Sequence, residues 1–425
     1  MIRFIATSDW HLGNLFHGND RLPEHRHFLN WLLTQIEEQQ PDALLVAGDV
    51  FDNGNPSAAA QSAYYEFLAA ATQRCPQMQV VISTGNHDSA SRLEAPRPML
   101  SRHRIEIRGN VHREWVQEST EEGGQWQVNY DDLMIPVVTG KGEEMVILAV
   151  PFLRSDVVQN ANYSEGVNHF LHALTERARE LHPGRPLVMM AHMYAKGADI
   201  ADSDHSEKIV IGGQEEVAMG NWTDHPDYLT CGHIHKRQHI WNTDWARYSG
   251  SVLPMSFAEK DYTHGVDLVT LEAGKRAKVE QLVYAPQHKL VVLPDDDTAP
   301  TPAQLKKLIN THLQERVDGV LGDDFCYVVL KMKMEKVNNE TVKELEELVN
   351  TKNAVLCKIQ KIIPQLDVTT LSGTQQLSSL DDILNRDPMD TLKETYFIKH
   401  GEEMGEEQEA LLADLLQSIK YENKD

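Results

Sequence analysis

Short apolar runs that break off into polar turns recur along the first part of the chain. Residues 2–7 (Ile-Arg-Phe-Ile-Ala-Thr) predict a strand that ends at Ser8-Asp9-Trp10-His11-Leu12-Gly13. Phe28, Leu29, Leu32, Leu33 and Ile36 then fall at helical spacing over 23–39. A second apolar run, 42–47, leads into Gly48-Asp49-Val50-Phe51-Asp52. Ala60, Ala63, Tyr64, Phe67, Leu68 and Ala71 predict a helix over 57–73, and a third strand, 79–83, delivers Thr84-Gly85-Asn86-His87-Asp88. Alternation of this kind implies parallel strands joined by right-handed crossovers. The polar turns are then expected on one edge of one sheet, where open α/β sheets build their sites.

The texture changes after residue 105. Short alternating runs over 105–150, a turn at Gly123-Gly124 and a strong strand at 145–150 predict a second sheet of mixed direction. A helix over 166–181 precedes a buried strand, 186–191, that ends at His192. A polar loop over 197–213 follows, then a strand at 228–231 that ends in Gly232-His233-Ile234-His235. Further strands are expected at 245–251, 265–271 and 278–284.

Pro294-Asp295-Asp296-Asp297, with Pro300 and Pro302, predicts a domain boundary. Beyond it Leu305, Leu308, Ile309 and Leu313 mark a helix, 325–334 a strand, Val342, Leu345, Leu348 and Val349 a helix, and 354–363 a strand. Residues 378–421 predict helices, the last with Leu411, Leu412, Leu415, Leu416 and Ile419 on one face. The expected organisation is three domains, 1–290, 291–370 and 371–425.

Composition narrows the class. With 425 residues, 41% apolar and 24% charged, the chain is globular and too long for one typical core. No apolar run reaches the ~18 residues that span a bilayer. The N-terminal residues lack a signal-peptide pattern, and the four cysteines form no Cys-x-x-Cys pair, so a reducing cytoplasm is the expected setting. The net charge of −24 argues against nucleic acid being held mainly by the chain's own basic surface. A nucleic-acid enzyme is still compatible, because bound divalent cations or a basic partner supply positive charge locally. No Gly-x-x-x-x-Gly-Lys-Ser/Thr motif is present, so any ATP dependence belongs to a partner.

The chemistry concentrates at the strand ends: Asp9, His11, Asp49, Asn86, His87, His192, His233 and His235. Asp-x-His and His-x-His each put two donors on one face of an extended segment. Asn86 offers a neutral oxygen, His87 is a proton donor or a ligand, and Asp88 is a carboxylate able to orient it. A donor set of His, Asp and Asn without thiolate suits Mn²⁺, Fe or Zn²⁺. It is too large for one tetrahedral ion and large enough for two sharing a carboxylate. Two ions ~3.5–4 Å apart are the apparatus of in-line displacement at phosphorus.

The pattern Asp9-x-His11, Gly48-Asp49, Gly85-Asn86-His87-Asp88, His192 and Gly232-His233-x-His235 resembles the calcineurin-like metallophosphoesterases. The closer wording of these motifs, with Asp52, Ser89, Tyr248-Ser249-Gly250-Ser251 and Ser256-Phe257, is similar to the bacterial DNA-repair nucleases of that family. The resemblance implies an α/β fold, a two-sheet β-sandwich flanked by helices, with a small α+β domain capping the DNA groove and C-terminal helices. It implies two divalent ions, Mn²⁺ foremost. Asp9, His11, Asp49 and His235 would hold one, and Asp49, Asn86, His192 and His233 the other, with Asp49 bridging. His87 would face the scissile phosphate and protonate the leaving oxygen, steadied by Asp88. It further implies DNA ends and hairpins as substrates, and a homodimer that joins a separate ATPase through the C-terminal helices in a heterotetramer, with no membrane. A phosphatase or nucleotidase acting on small or protein phosphoesters is the alternative. Asp52 is expected to cap its loop, His17 lies near the first turn, and His25 and His27 are expected on the exposed start of a helix. His103, His112, His205, His225, His239 and His264 are expected to be structural.

Overall fold

The computed structural model describes residues 1–117, 124–158, 162–200, 216–220, 224–272, 275–296, 298, 300–333, 339–362, 393, 405 and 409. Met1–Ile362 forms one compact unit and Ile363–Asp425 a second. In the second unit Lys393 Nζ donates to Glu409 Oε2 at 2.6 Å. The helices expected over 378–421, their leucine stripe and the boundary at 370/371 lie outside the described residues.

Strands β1 (Ile2–Thr7), β2 (Ala43–Ala47), β3 (Gln79–Ser83) and β4 (Ile105–Arg108) pair in parallel. Helix α1 (Leu22–Gln39) joins β1 to β2, and α2 (Ala58–Arg74) joins β2 to β3. The predicted β-α-β-α-β run is therefore present. Ile105–Arg108 was expected to open the second sheet; it instead extends the first, because Val80 and Ile82 pair with Ile105 and Ile107.

The second sheet holds β5 (Met134–Val138), β6 (Glu144–Ala149), β7 (Leu187–His192), β8 (Tyr228–Gly232), β9 (Gln238–His239) and β10 (Ala246–Tyr248). Its pairings are mixed in direction, as the sequence implies. Strands β11 (Gly265–Leu271) and β12 (Lys278–Val283) return to the first sheet, β11 pairing antiparallel with β1. Among the described residues each sheet has six strands.

The two sheets face each other. Phe4, Ala6, Leu45, Ala47 and Val81 pack with Ile147, Ala149, Val188, Met190 and Tyr228. The alternate residues Ile5, Leu44, Val46, Val80 and Ile82 face the helices through Phe28, Leu32, Tyr64 and Phe67. On the far side, Val146, Leu148, Met189 and Leu229 pack on Phe170, Leu171 and Leu174 of α3 (Tyr163–Leu181). Strands buried on both faces explain why these runs are almost continuously apolar. Each buried Val, Leu, Ile, Phe or Met among them contributes about 1.5–3 kcal/mol.

A third sheet is built from β13 (Leu290–Leu293), β14 (Cys326–Lys333) and β15 (Ala354–Ile362), all parallel, with α4 (Pro302–His312) and α5 (Asn339–Asn350) as crossovers. Leu293, Leu305, Ile309, Val328, Leu330, Leu345 and Val349 form its own core. The sequence reading assigned no strand to Leu290–Leu293, which runs straight into the Pro294 turn. The boundary expected at 290/291 lies inside the first unit, at the start of this strand.

Tyr327 of β14 ties this sheet to α1. Its hydroxyl donates to Glu24 Oε1 at 3.2 Å, and its ring meets Phe16 edge-on at 5.1 Å. Arg21 grips both oxygens of Glu24 at 2.9 Å, and donates to the Pro254 carbonyl. His25 departs from expectation. It is wholly buried, because it continues the stripe of Phe28, Leu29, Leu32 and Ile36 along α1. His27 takes the rim and meets the Tyr284 hydroxyl at 2.8 Å.

Burial, then the positive charge of Arg21, lowers the His25 pKa from 6.5 to about 3. The unfolded chain therefore binds the extra proton first, so stability falls as pH drops from about 6.5 toward 3. In His25→Leu this part of the acid-side loss is expected to disappear, read by urea unfolding across that pH range.

Candidate metal centre

The carboxyl ends of β1, β2 and β3 and of β7 and β8 meet along one edge of the sandwich. Backbone hydrogen bonds lace the turns together: Asp9 N to Gly48 O at 3.1 Å, His11 N to Asp49 O at 3.0 Å and Leu12 N to Val50 O at 3.0 Å. The segments are not extended, as the Asp-x-His and His-x-His spacing suggested. Asp9, His11, Asp49 and His233 have φ of 52°, 47°, 49° and 99°. Left-handed backbone at four non-glycine residues of one cluster is a conformation held by its surroundings. Trp10, between Asp9 and His11, packs on Phe28 and Phe67.

Two glycines make the approach possible. A Cβ on Gly85 would lie 2.1 Å from Asp49 Oδ1, and one on Gly48 would lie 2.2 Å from His192 Nδ1. Gly85 is thus required by close packing against a carboxylate rather than by a positive φ.

The donors form connected groups. Ligand atoms of Asp9, His11 and His235 lie within 4.8 Å of one another, as do those of Asp9, Asp49 and His192. Asp49 Oδ2 stands between His192 Nε2 at 3.1 Å and His11 Nε2 at 3.9 Å. Asn86 Oδ1 is 3.0 Å from both His192 Nε2 and His233 Nδ1. The seven residues expected as ligands are therefore brought together, with both carboxylates, Asp9 and Asp49, placed between the groups.

The chemistry of this arrangement calls for cations. His192 Nδ1 is 3.0 Å from the Ala47 carbonyl, which holds a proton there and leaves Nε2 as the donor atom. His235 Nδ1 is likewise engaged, 2.9 Å from Glu259 Oε1. Imidazole lone pairs, an amide oxygen and carboxylate oxygens thus face one another inside the protein, and a proton or a metal ion must lie among them. Burial works against charge on His192, but Asp49 overrides it and raises its pKa to about 10. Burial likewise opposes charge on Asp49, and His192 and His11 still hold its carboxyl well below the usual range. The residues fit divalent cations.

Asp88 is placed differently from expectation. It is engaged by backbone amides. Its carboxylate accepts the N–H groups of Gly85 at 2.9 Å, Phe51 at 3.0 Å and Val50 at 3.2 Å. The buried carboxylate completes a backbone nest that pins the Asp49 turn to the Asn86 turn. Burial, then the charge of Asp49, raises its pKa to about 6 against those three amides. The His87 ring is held by backbone instead: Nδ1 lies 2.9 Å from the Asp52 carbonyl, and His87 N donates to Asp49 Oδ1 at 2.9 Å. Asp52 accepts from Asn14 Nδ2 at 2.8 Å and lies 3.7 Å from His11 Nδ1, so it also belongs to the cluster.

Sequence reasoning missed Glu259 and Ser8. Ser8 Oγ donates to Asp9 Oδ2 and meets Ser249 Oγ at 2.8 Å. Ser8 stands in the first turn but is a hydroxyl outside the His, Asp and Asn donor set, and Glu259 lies in a turn with no second donor beside it, so spacing pointed to neither.

The family model for calcineurin-like phosphoesterases matches residues 2–237. The chain belongs to this family. It is 33% identical over 333 residues to the D-type subunit of the nuclease SbcCD of Rhodobacter capsulatus, covering 74% of this chain and 77% of that one. It is 32% identical to the protein of the same description from Escherichia coli (strain K12), covering 72% and 74%. A solved structure, TT1561 of Thermus thermophilus, aligns with 66% of this chain and 98% of its own at 14% identity and a TM-score of 0.35. That alignment adds nothing to the family assignment. Among the described residues, no helix is long and apolar enough to cross a membrane.

Gly85→Ala is expected to displace the Asp49 carboxylate and abolish tight divalent-ion binding, read by metal titration of the purified chain. Asp88→Ala is expected to leave buried amides unsatisfied, at about 1–3 kcal/mol for each that water cannot reach. Urea unfolding of the metal-free protein reads that loss.

Proposed function

We propose that this chain is a two-metal, Mn²⁺-dependent DNA nuclease, the hydrolytic subunit of an assembly of the SbcCD type. Its reactions are 3′→5′ exonuclease action on double strands and endonuclease action on single strands and hairpins, in repair, recombination and replication. The observation that carries the reading is two donor groups that share Asp9, with Asp49 of one group 3.9 Å from His11 of the other, beside a histidine held by backbone. Relatives described as nuclease subunits, matched over about three quarters of their length, support the choice of substrate.

Asp9, His11, Asp49 and His235 would hold one ion, and Asp49, Asn86, His192 and His233 the other. Bound there, the ions supply a nucleophilic hydroxide and a Lewis acid for a phosphoryl oxygen. The chain's own residues do the rest. Ala47 and Glu259 fix ring tautomers at His192 and His235, so each presents Nε2 as the donor atom. Asp49 ties the His87 backbone with Oδ1 and presents Oδ2 to the cluster. With Nδ1 anchored on the Asp52 carbonyl, His87 takes and gives its proton at Nε2, toward the leaving oxygen. Asp88 acts at one remove, by holding the two turns in register.

The 291–370 module restricts the groove to DNA ends, and residues 371–425 bind an SbcC-type ATPase subunit. The working assembly is a homodimer of this chain within a heterotetramer, in the cytoplasm. A phosphatase would be the second reading, favoured by the net charge of −24.

His87→Ala is expected to retain both ions by calorimetric titration and to lose more than 100-fold in hairpin cleavage, within the range for a lost general acid. Loss of an ion in that variant would place His87 among the ligands. The purified chain with Mn²⁺ is expected to cut hairpin DNA; turnover of phosphomonoesters alone would favour the phosphatase. Removal of residues 378–425 is expected to abolish ATPase-subunit binding in a pull-down and to spare Mn²⁺-dependent hydrolysis of a simple phosphodiester.

A further inference from the structure

Glu259 is wholly buried, and none of the turns that supply the donors contains it. It closes the short helical turn Phe257–Glu259, between β10 and β11. Its Oε1 accepts the His235 Nδ1–H at 2.9 Å. Its Oε2 accepts the Met255 N–H at 2.9 Å and faces Ser251 Oγ at 3.4 Å. Ser251 N in turn donates to the His235 carbonyl at 2.9 Å. Ring and backbone of His235 are therefore gripped by one loop.

The same loop also touches the chain that follows the first turn of one donor group. The Phe257 ring meets Phe16 at 5.4 Å and His17 at 5.6 Å, on the chain that leaves the Asp9–His11 turn. These contacts all lie on the side of Asp9, His11 and His235. A carboxylate on Nδ1–H does two things for a ligand histidine. It fixes the tautomer, and it raises the basicity of Nε2.

We propose that Glu259 is a positioning residue for His235, setting the ion affinity of the Asp9–His11–His235 pocket separately from that of the Asn86–His192–His233 pocket. The inference rests on the two-ion reading above. It gives the two ions unequal dependence on one loop: an ion at the first pocket is lost when the 251–259 loop loosens, and an ion at the second is retained.

The test uses the full chain, stripped of metal and titrated with Mn²⁺ alone. Wild type is expected to take up two ions. Glu259→Ala is expected to weaken one by about 10–100-fold, the usual cost of losing such a partner, and to leave the other within error. Glu259→Gln keeps an acceptor oxygen without the charge, and is expected to weaken the same ion by less. Nitrogen-15 spectra of the metal-free imidazoles supply a second readout: the Nδ1–H tautomer of His235 in wild type and Glu259→Gln, and a mixture in Glu259→Ala. Equal weakening at both ions, or unchanged affinity with an unchanged tautomer, would overturn the proposal. If Glu259→Ala does not fold, Glu259→Gln decides by the same criteria. Uptake of fewer than two ions by wild type would instead defeat the two-ion reading, while the tautomer spectra still report on Glu259.

Discussion

The Asp49 carboxylate, sealed from solvent at the meeting point of two sheets, sets the terms for everything around it. A buried charge of this kind persists only where positive charge and hydrogen bonds compensate it. One oxygen takes the His87 amide; the other looks toward His192 and His11. Gly85 is bare because this carboxylate occupies the space a side chain would need. The parallel strands matter because they deliver His11, His87 and His192 from three other segments to within 3.9 Å of a single side chain. Removing the sandwich would leave each turn an ordinary loop.

Much of this was legible in the chain. Doubly buried strands announce themselves as unbroken apolar runs, and their polar ends mark the sheet edge. All seven expected donors converge, because each sits at a strand end or within four residues past one, and the apolar run defines where that end falls. The failures are as physical. His25 was read as exposed because it stands at the start of its helix, yet it lies on that helix's apolar stripe. Ile105–Arg108 carries no mark of which sheet it joins, since β pairing is decided by partners distant in sequence. Asp88 follows His87 directly, and adjacency suggested a bond between side chains; the backbone geometry gives that carboxylate to three amides instead. Glu259 had no local signal, because a partner to a ligand is defined by contact and not by spacing.

The third sheet is joined to the start of α1 through buried contacts that are costly to break. Tyr327 completes a buried Arg21–Glu24 pair, and its ring rests on Phe16. Breaking such a pair strands a charge in the interior, at a cost of about 3–5 kcal/mol. The module is thereby attached to the chain just beyond the Asp9–His11 turn rather than tethered by Pro294 alone. The distribution of charge fits a site that relies on cations. The chain is strongly acidic overall, and the residues at its centre are nitrogen and oxygen donors that gain from added positive charge.

At Asp9, His11, Asp49 and His233 the backbone itself filters which residues can stand there. Left-handed φ excludes β-branched side chains and is borne most readily by Gly, Asn, Asp and His. Two of those four types are the strongest N/O ligands in the set. Ligand chemistry and chain conformation therefore select the same narrow alphabet at the same positions. A replacement such as Asn satisfies the backbone while weakening the donor, whereas Val or Ile is refused on both counts. Drift at these positions would be expected to stay within that alphabet, passing through variants that remain folded and bind cations poorly.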